Sequence, residues 1–302
     1  MKHIVSVSLG SSKRDKREEV EFLGEKFVLE RQGTDGDMKK FADRFVELDG
    51  KVDALGVGGA DIYLVMEEKK YAFTQILNIV NQVKTTPVVD GSGLKHTLER
   101  QAIEQLGLNG YVNWHKTKVL LVCATDRFGM AQALAKSGAE VVYGDLLYAV
   151  GLPIPVRSYK TAKLIANLIL PIITRLPFQW VYPTGEKQEK RTPKFTKYFK
   201  EADLICGDWH YIRKFMPDDL TGKTILTQTL RKADIELLRN ANVSRAITTT
   251  PIINGETFAT NVMEAMLVAY LEKKPADIQP EEMMEVLAKL GWEPNIIELN
   301  IP

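Results

Sequence analysis

The sequence has little of what marks a secreted or nucleic-acid-binding protein. Its 302 residues include two cysteines, too few for a disulfide framework. Cys123 and Cys206 both lie in apolar, strand-like runs, so we expect buried free thiols. The 40 basic and 39 acidic residues give a net charge of +1, so no overall field attracts nucleic acid or an anionic membrane. We therefore expect a cytoplasmic protein that binds a small-molecule substrate and no nucleic acid.

A hydrophobic run long enough to cross a membrane is also missing. The most apolar stretch, 161–180, is interrupted by Lys163, Asn167, Pro171, Arg175 and Pro177. Because a bilayer span needs about 20 mostly apolar residues, we expect no transmembrane segment. The apolar face within 157–180 is expected to lie in the core or in a homodimer contact.

The first third of the chain alternates apolar segments with small polar loops. Strands are predicted at 4–9, 26–30, 52–57 and 87–89, and the loops that follow them are 10–14, 33–37, 58–61 and 90–93. Strands that alternate with helices predict a largely parallel sheet, whose loops meet at one edge, where ligands bind. Taken singly, each loop could be an ordinary turn. We predict an N-terminal α/β substrate-type domain over 1–110.

A second α/β pattern begins at Lys118. A buried strand, 118–123, is followed by the loop 124–129, by a helix that ends at Gly138, and by a second strand at 140–143. The predicted fold class is therefore α/β with two lobes, the second a Rossmann-like, doubly wound parallel sheet. We place this nucleotide-binding domain at 111–275, with an insertion at 152–200. Residues 276–302 are expected to form a helix and a tail that pack back onto the body.

Two helix boundaries are predicted from single residues. Gly107 is expected to end a helix over 94–106. The final helix of the second lobe is expected to begin near Asn261, where Glu264 would complete a capping box.

The loop 124–129 occupies the place of a dinucleotide fingerprint. The three glycine positions of G-x-G-x-x-G are matched here by Ala124, Asp126 and Gly129, so only the last is glycine. A carboxylate about 4 Å from a phosphate would repel it by ~4 kcal/mol at an effective dielectric near 20. Either Arg127 offsets this charge, or Asp126 turns away and caps the helix.

Two other residues are candidates for cofactor binding. Asp145 follows the second strand about 20 residues after the loop, where an acidic residue binds the ribose hydroxyls of NAD. Since a carboxylate there repels the 2′-phosphate of NADP, we expect NAD rather than NADP. The alternative for Asp145 is an ordinary turn. Thr249, at the end of the last strand, either contacts a nicotinamide amide or is only the residue at which that strand ends.

The order of these features resembles that of the shikimate/quinate dehydrogenases. The segment 89–94, Val-Asp-Gly-Ser-Gly-Leu, opens a helix about 25 residues before Lys118. Nearly the whole chain also resembles the bacterial quinate 5-dehydrogenases, in the stretches 5–12, 34–37, 90–95, 126–129 and 182–186. The resemblance implies an NAD(P)-dependent oxidoreductase of a small cyclic hydroxy-carboxylate. It also implies that Asp90 is the catalytic and substrate-binding aspartate, and that Ser6 and Ser8 hold the substrate carboxylate.

The sequence departs from these dehydrogenases at the catalytic lysine. The family places its lysine in an Asn-Val-Thr-x-Pro-x-Lys segment, which is missing here. Lys95, one turn into the helix after Asp90, is our candidate, because a carboxylate can orient a lysine for proton transfer. The alternative is a surface helix lysine. Lys13 and Arg14 either bind the substrate carboxylate or belong to a solvated charge run.

Two functions remain in contention. The segment Asp90-Gly-Ser-Gly favours the dehydrogenase, whereas Asp126 favours a non-redox protein that binds a nucleotide or a phosphorylated ligand, with a regulatory or transferase role. We expect no metal site, since Asp208 and His210 lack a third ligand. The Thr-Gly-Glu of the loop 182–186 is more typical of a ligand contact than of packing, but we assign the loop no mechanism.

Overall fold

The computed structural model describes residues 1–67, 69–181, 191–253 and 256–300. The strands are β1 (Lys2–Ser8), β2 (Lys16–Phe22), β3 (Glu25–Gly33), β4 (Ala54–Gly58), β5 (Tyr63–Met66), β6 (Lys69–Ala72), β7 (Val88–Val89), β8 (Lys118–Leu121), β9 (Glu140–Tyr143), β10 (Leu204–Cys206), β11 (Thr224–Thr227), β12 (Arg245–Thr248), β13 (Ile252–Ile253), β14 (Glu256–Thr257) and β15 (Asn295–Glu298). The helices are α1 (Met38–Leu48), α2 (Thr74–Val80), α3 (Ser92–Leu108), α4 (Phe128–Ser137), α5 (Tyr159–Ile173), α6 (Phe178–Val181), α7 (Thr196–Glu201), α8 (Trp209–Phe215), α9 (Lys232–Asn240), α10 (Thr260–Leu271) and α11 (Pro280–Lys289).

The chain divides into two compact units that are discontinuous in sequence. The first unit takes the described residues of 1–95, 170–188 and 252–292, and the second unit takes those of 96–169, 189–251 and 293–302. The sequence predicts continuous domains with boundaries at 110/111 and 275/276, and these differ from the observed units. The main difference is α10, which was assigned to the second domain but packs on β1 and β4 of the first unit.

The first unit is built on a five-stranded sheet in the order β2-β3-β1-β4-β7. Strands β1, β3, β4 and β7 are parallel, and β2 pairs with β3 in the antiparallel sense. Every residue of α10 from Thr260 to Ala269 is buried, as expected of a helix that is apolar on all sides. Small residues on the sheet allow its close approach, since a Cβ on Gly56 would lie 2.8 Å from the Nδ2 atom of Asn261.

The second unit is built on a six-stranded sheet in the order β15-β12-β11-β10-β8-β9. All neighbours are parallel except β15, which pairs with β12 in the antiparallel sense. Successive residues of β10 face opposite cores, Ile205 with Leu120 on one face and Cys206 with Leu121 on the other. The expected mixed α/β fold with parallel-rich sheets is confirmed. The strand order is that of flavodoxin-like sheets, not the 3-2-1-4-5-6 order of the Rossmann fold, and its switch point lies between β8 and β10.

Some local predictions are confirmed and others are wrong. Helix α4 ends at Gly138, which has a φ of +85°, as expected. Gly107 does not end a helix; it lies inside α3, where a Cβ would meet the indole Nε1 of Trp114 at 2.8 Å. The predicted capping box is also wrong, because Ala259 is the N-cap of α10 and its side chain makes no cap bond. Both cysteines are buried free thiols, as expected.

The outer face of α5 carries large apolar side chains. The helix continues through Pro171, and Leu164, Leu168 and Ile172 are each at least 60% exposed. Within the described residues no helix is both long and apolar enough to cross a membrane. The homodimer contact expected at this face stays a prediction.

Candidate functional site

The polar loops of the first unit follow its parallel strands. They come after β1, β3, β4 and β7, and therefore share the carboxyl edge of the sheet, where α/β proteins bind ligands. Charged side chains converge here from the loop after β4, from the start of α3 and from α10.

An ion pair between Lys95 and Asp61 is the central feature of this edge. The Nζ atom of Lys95 lies 2.6 Å from Oδ1 of Asp61, and the two side chains are only 17% and 12% exposed. Lys95 is held in the first turn of α3 by the hydrogen bond from its backbone N–H to the carbonyl of Gly91. A carboxylate that orients a largely buried lysine is an arrangement suited to proton transfer.

Asp90 does not take the place predicted for it as the partner of Lys95. Its Oδ2 atom accepts hydrogen bonds from the backbone N–H groups of Ile62, at 2.6 Å, and Tyr63, at 2.9 Å. Its Oδ1 atom accepts from the backbone N–H of Ser92, at 2.9 Å. Asp90 therefore ties the loop after β4 to the start of α3. It positions Asp61 and Lys95 rather than orienting the lysine directly.

Glu264 of α10 is a site residue that the sequence analysis missed. Glu264 is 6% exposed, and among the described residues its Oε2 atom has no hydrogen-bond partner. Burial and the nearby Asp90 carboxylate raise the pKa of Glu264 to about 8, although a backbone hydrogen bond from Gly91 and the charge of Lys95 act in the opposite direction. Near neutral pH the carboxyl is largely protonated and can donate a proton. The residue was hidden because its spacing from Asn261 imitates a capping box.

Ser6 and Ser8 are engaged within the protein. Asn261 of α10 donates from Nδ2 to the Ser6 hydroxyl, at 2.6 Å. The Ser8 hydroxyl accepts from the backbone N–H of Gly10, at 3.1 Å, and from Nη2 of Arg31, at 3.0 Å. Both serines are almost fully buried, so they shape the sheet edge, in contrast to their predicted role as the substrate carboxylate site.

Of the two predicted cations after β1, Arg14 is the one directed at the loop. A Cβ on Gly10 would overlap guanidinium nitrogens of both Arg14 and Arg31, so these two groups converge on this glycine. Lys13 is exposed on the 3₁₀ turn Ser12–Arg14. An arginine pair is well suited to hold a carboxylate, since each guanidinium offers parallel donors.

In the second unit, Asp145 occupies the loop predicted to bind a pyrophosphate. Its Oδ2 atom accepts from the backbone N–H of Ala124, at 3.0 Å. Its Oδ1 atom accepts from the backbone N–H and the hydroxyl of Thr125, at 2.9 and 2.8 Å. Burial and the Asp145 carboxylate both raise the pKa of the neighbouring Cys123 thiol, so this cysteine stays protonated. Asp145 was expected to bind a ribose, but its carboxylate instead accepts the hydrogen bonds that the loop would offer to a phosphate.

Arg127 lies buried at the switch point among three carboxylates. It contacts Glu99 at 2.5 Å, Asp208 at 2.7 Å and Asp126 at 3.0 Å, and its side chain is 2% exposed. Burial alone would lower the pKa of Arg127, but these three anions raise it well above its usual value. Of the two alternatives for Asp126, the structure shows the ion pair with Arg127 and not a helix cap.

These residues do not fit a dinucleotide bound at this loop. The two amide groups of the loop are already bound to the Asp145 carboxylate, and the guanidinium of Arg127 is already bound to three others. Gly129 serves packing, because a Cβ there would lie 2.8 Å from the carbonyl oxygen of His96 on α3. Thr249 is buried, and its backbone N–H donates to Thr227 at 3.0 Å. The loop 182–186 lies outside the described residues.

Comparisons with solved structures return weak likenesses to two kinds of protein. A periplasmic solute-binding protein of Actinobacillus succinogenes with bound D-allose is 9% identical, with a TM-score of 0.41 over 99% of this chain and 98% of that chain. The hetero-hexameric glutamate dehydrogenase of Thermus thermophilus is 13% identical, with a TM-score of 0.42 over 96% and 73%. The NAD-dependent malic enzyme of Thermotoga maritima is 11% identical, with a TM-score of 0.37 over 95% and 83%. Structural similarities this weak do not indicate a function.

Family models account for nearly the whole chain. No curated protein matches the sequence. Residues 3–90 match the family described as Domain of unknown function (DUF8753). Residues 93–299, more than half of the chain, match the family described as Domain of unknown function (DUF8754), and the protein belongs to that family.

Proposed function

We propose that this protein is an enzyme that transfers a proton to or from the oxygen of a small hydroxy-carboxylate, with Lys95 and Asp61 as its reacting pair. The observation that carries the proposal is their 2.6 Å contact, largely screened from solvent, at the carboxyl edge of a parallel sheet. The ammonium of Lys95 can donate a proton to an oxygen of the substrate, and the resulting amine can take that proton back. Asp61 holds the lysine in place in both directions.

Glu264 supports the same proposal. With its pKa raised to about 8, the buried carboxyl is mostly neutral near pH 7, so it adds little negative charge beside Asp61 and Asp90. The charge of Lys95 acts on the pKa of Glu264, so the protonation of the two groups is coupled. A carboxyl that changes protonation near neutral pH is common at catalytic sites and rare elsewhere.

The substrate class rests on charge and on the family resemblance. Arg14 and Arg31 converge on Gly10 at the end of β1, where they can bind a carboxylate. The Asp90-Gly-Ser-Gly segment resembles that of shikimate/quinate dehydrogenases, whose substrates are cyclic hydroxy-carboxylates. Quinate and shikimate are therefore the first compounds to test.

The resemblance implies one specific reaction, the oxidation of the substrate hydroxyl by NAD. NADP is less expected, because the Asp145 carboxylate would repel its 2′-phosphate. NAD bound to such a protein accepts a hydride from the substrate carbon. Because Asp145 and Arg127 are bound within the protein, we derive no step through this cofactor. The same observation favours the second candidate, a non-redox enzyme or regulatory protein that uses the Lys95 site without a dinucleotide.

Calorimetric titration with quinate and shikimate tests the proposal. Lys95→Met removes the ammonium and keeps the length of the side chain, and Lys136→Met removes an exposed lysine of α4 as a matched control. We expect saturable binding of at least one compound by the wild type and by Lys136→Met, and much weaker binding by Lys95→Met. Lack of binding of both compounds by the wild type at millimolar concentration would refute the substrate class. Equal binding by wild type and Lys95→Met would remove Lys95 from the site.

A further inference from the structure

A polar pocket of about 420 Å³ lies in the first unit, and all the residues that line it fall within 12–44. Its walls come from the 3₁₀ turn Ser12–Arg14, the start of β2, the end of β3 and the first half of α1. The volume is within the usual range for a small-molecule site, roughly 300–1,000 Å³. Neither Lys95 nor Asp61 lines it, whereas Arg31 does.

The lining of this pocket is strongly basic. It includes five cationic side chains, from Lys16, Arg17, Arg31, Lys40 and Arg44. The lining itself holds two carboxylates, so its own side chains carry a surplus of three positive charges, five less two, while Glu18 and Glu47 outside the lining pair with two of the cations. This local excess is notable in a chain whose net charge is only +1. A concave surface that gathers charge of one sign attracts a ligand of the opposite sign.

The two carboxylates of the pocket are already bound. Asp15 pairs with Arg31 at 2.8 Å and also accepts from the backbone N–H of Gly33, at 2.6 Å. Glu30 accepts from Gln32 at 2.7 Å and lies 3.1 Å from the imidazole of His3. These contacts fix Arg31, and neither carboxylate is seen in an ion pair with the other four cations among the described residues.

The remaining cations can reorganise around an anion at little cost. The pairs of Lys16 with Glu18 and of Arg44 with Glu47 are solvent-exposed, and such pairs contribute at most about 1 kcal/mol each. Within the described part of the chain, no carboxylate lies within ion-pair distance of Arg17 or Lys40.

The charge of this pocket comes from side chains and not from a helix end. The backbone N–H groups of Lys39 and Lys40 at the start of α1 both donate to the Asp37 carboxylate, at 2.9 and 3.0 Å. An anion in the pocket is therefore contacted by guanidinium and ammonium groups. Guanidinium groups match phosphate well because they offer two parallel donors, whereas a lysine acts as a point charge.

We propose that this pocket binds a small molecule through a phosphate group that carries two or more negative charges. A single carboxylate would leave most of the surplus charge uncompensated, whereas a pyrophosphate or a phosphate monoester with a second acidic group would balance it. The pocket shares Arg31 with the carboxylate site proposed at Gly10, but it shares no residue with the pair of Lys95 and Asp61, and its test does not depend on that pair. It serves either a phosphorylated substrate or a phosphorylated regulator.

The test is a calorimetric titration with pyrophosphate at constant ionic strength. The double substitution Arg17→Gln and Lys40→Gln removes the two lining cations that have no carboxylate within ion-pair distance among the described residues. The control, Lys116→Gln and Lys136→Gln, removes the same charge from exposed lysines of the second unit. All four lysine and arginine side chains are exposed, so each double variant should keep the melting temperature of the wild type.

We expect wild type and control to bind pyrophosphate at a single site with equal affinity. The pocket variant should bind about tenfold more weakly, which corresponds to ~1.4 kcal/mol. Absence of saturable binding by the wild type would overturn the proposal. An equal loss in both double variants would also overturn it, because the effect would then follow the net charge and not the pocket.

Discussion

The ammonium of Lys95 lies 2.6 Å from Asp61, whereas Asp90, which is nearer in sequence, gives its carboxylate to three backbone N–H groups. The two aspartates thus have different tasks at one site. Asp61 holds the charge of the lysine, and Asp90 holds the loop and the helix that carry the pair.

Amide substitutions should separate these tasks. Asp90→Asn puts an N–H₂ group against a backbone N–H, and is expected to lower the free energy of unfolding by about 1–3 kcal/mol. Asp61→Asn should also be destabilising, because it leaves the largely buried ammonium of Lys95 without its counter-charge. Urea unfolding of both variants measures these losses. An Asp90→Asn variant as stable as the wild type would contradict the structural task of Asp90.

Glu264 makes stability depend on pH. Its pKa is raised from 4.5 to about 8 in the folded protein, so between these values the folded state binds a proton that the unfolded state has lost. The contribution of this group is therefore fully present below pH 4.5 and is lost as the pH rises to about 8, with a slope of up to ~1.4 kcal/mol per pH unit. Urea unfolding across this range should show the decline.

Glu264→Gln is the control for this pH dependence. The amide keeps the shape of the protonated carboxyl and does not titrate, so the decline attributed to Glu264 should disappear in the variant while the other groups titrate as before. If wild type and Glu264→Gln show the same slope, another group is responsible, and Glu264 ionises near its ordinary pKa.

Local patterns predicted the parallel strands and the end of α4 at Gly138, because period and cap chemistry act over a few residues. The assignment of α10 failed for a different reason. Its neighbours on β1 and β4 are more than 200 residues away in sequence. Nothing local distinguishes a helix of one sheet from a helix of the other.

The candidate site was predicted only in part. Lys95 was identified from its spacing, but its partner Asp61 stands in a glycine-rich loop that reads as a turn. Glu264 was misread because a capping pattern and a buried carboxyl can share one spacing. Asp145 was placed correctly after β9, yet its role depends on which way the side chain turns, and this is decided by the amide groups of Ala124 and Thr125.

The loop after β8 should bind no dinucleotide in the wild type. Titration with NAD and then NADP is expected to give no micromolar binding, because Asp145 already satisfies the amides of Ala124 and Thr125. Micromolar binding of NAD that is lost on Asp145→Ala would contradict this expectation. It would restore the ribose role for Asp145 and the NAD-dependent reaction.

The buried cluster around Arg127 should be far more sensitive to substitution than an exposed ion pair. Arg127→Met leaves Glu99, Asp126 and Asp208 without their shared cation, and breaking a buried pair in this way typically costs about 3–5 kcal/mol. Arg157→Met is the control, since its side chain is 53% exposed and lies 3.8 Å from Glu140. Its loss should change the free energy of unfolding by less than about 1 kcal/mol.

A second substitution tests whether the destabilisation caused by Arg127→Met comes from the uncompensated carboxylates. Adding Glu99→Gln to Arg127→Met removes one of the stranded carboxylates, so the double variant should be more stable than Arg127→Met alone. Glu99→Gln by itself should be destabilising, because Arg127 then loses an anion that it contacts at 2.5 Å. Urea unfolding of the wild type and the three variants completes the cycle. If the two losses simply add, the cost of Arg127→Met is a packing effect, and the four charges at the switch point of the second sheet do not act together.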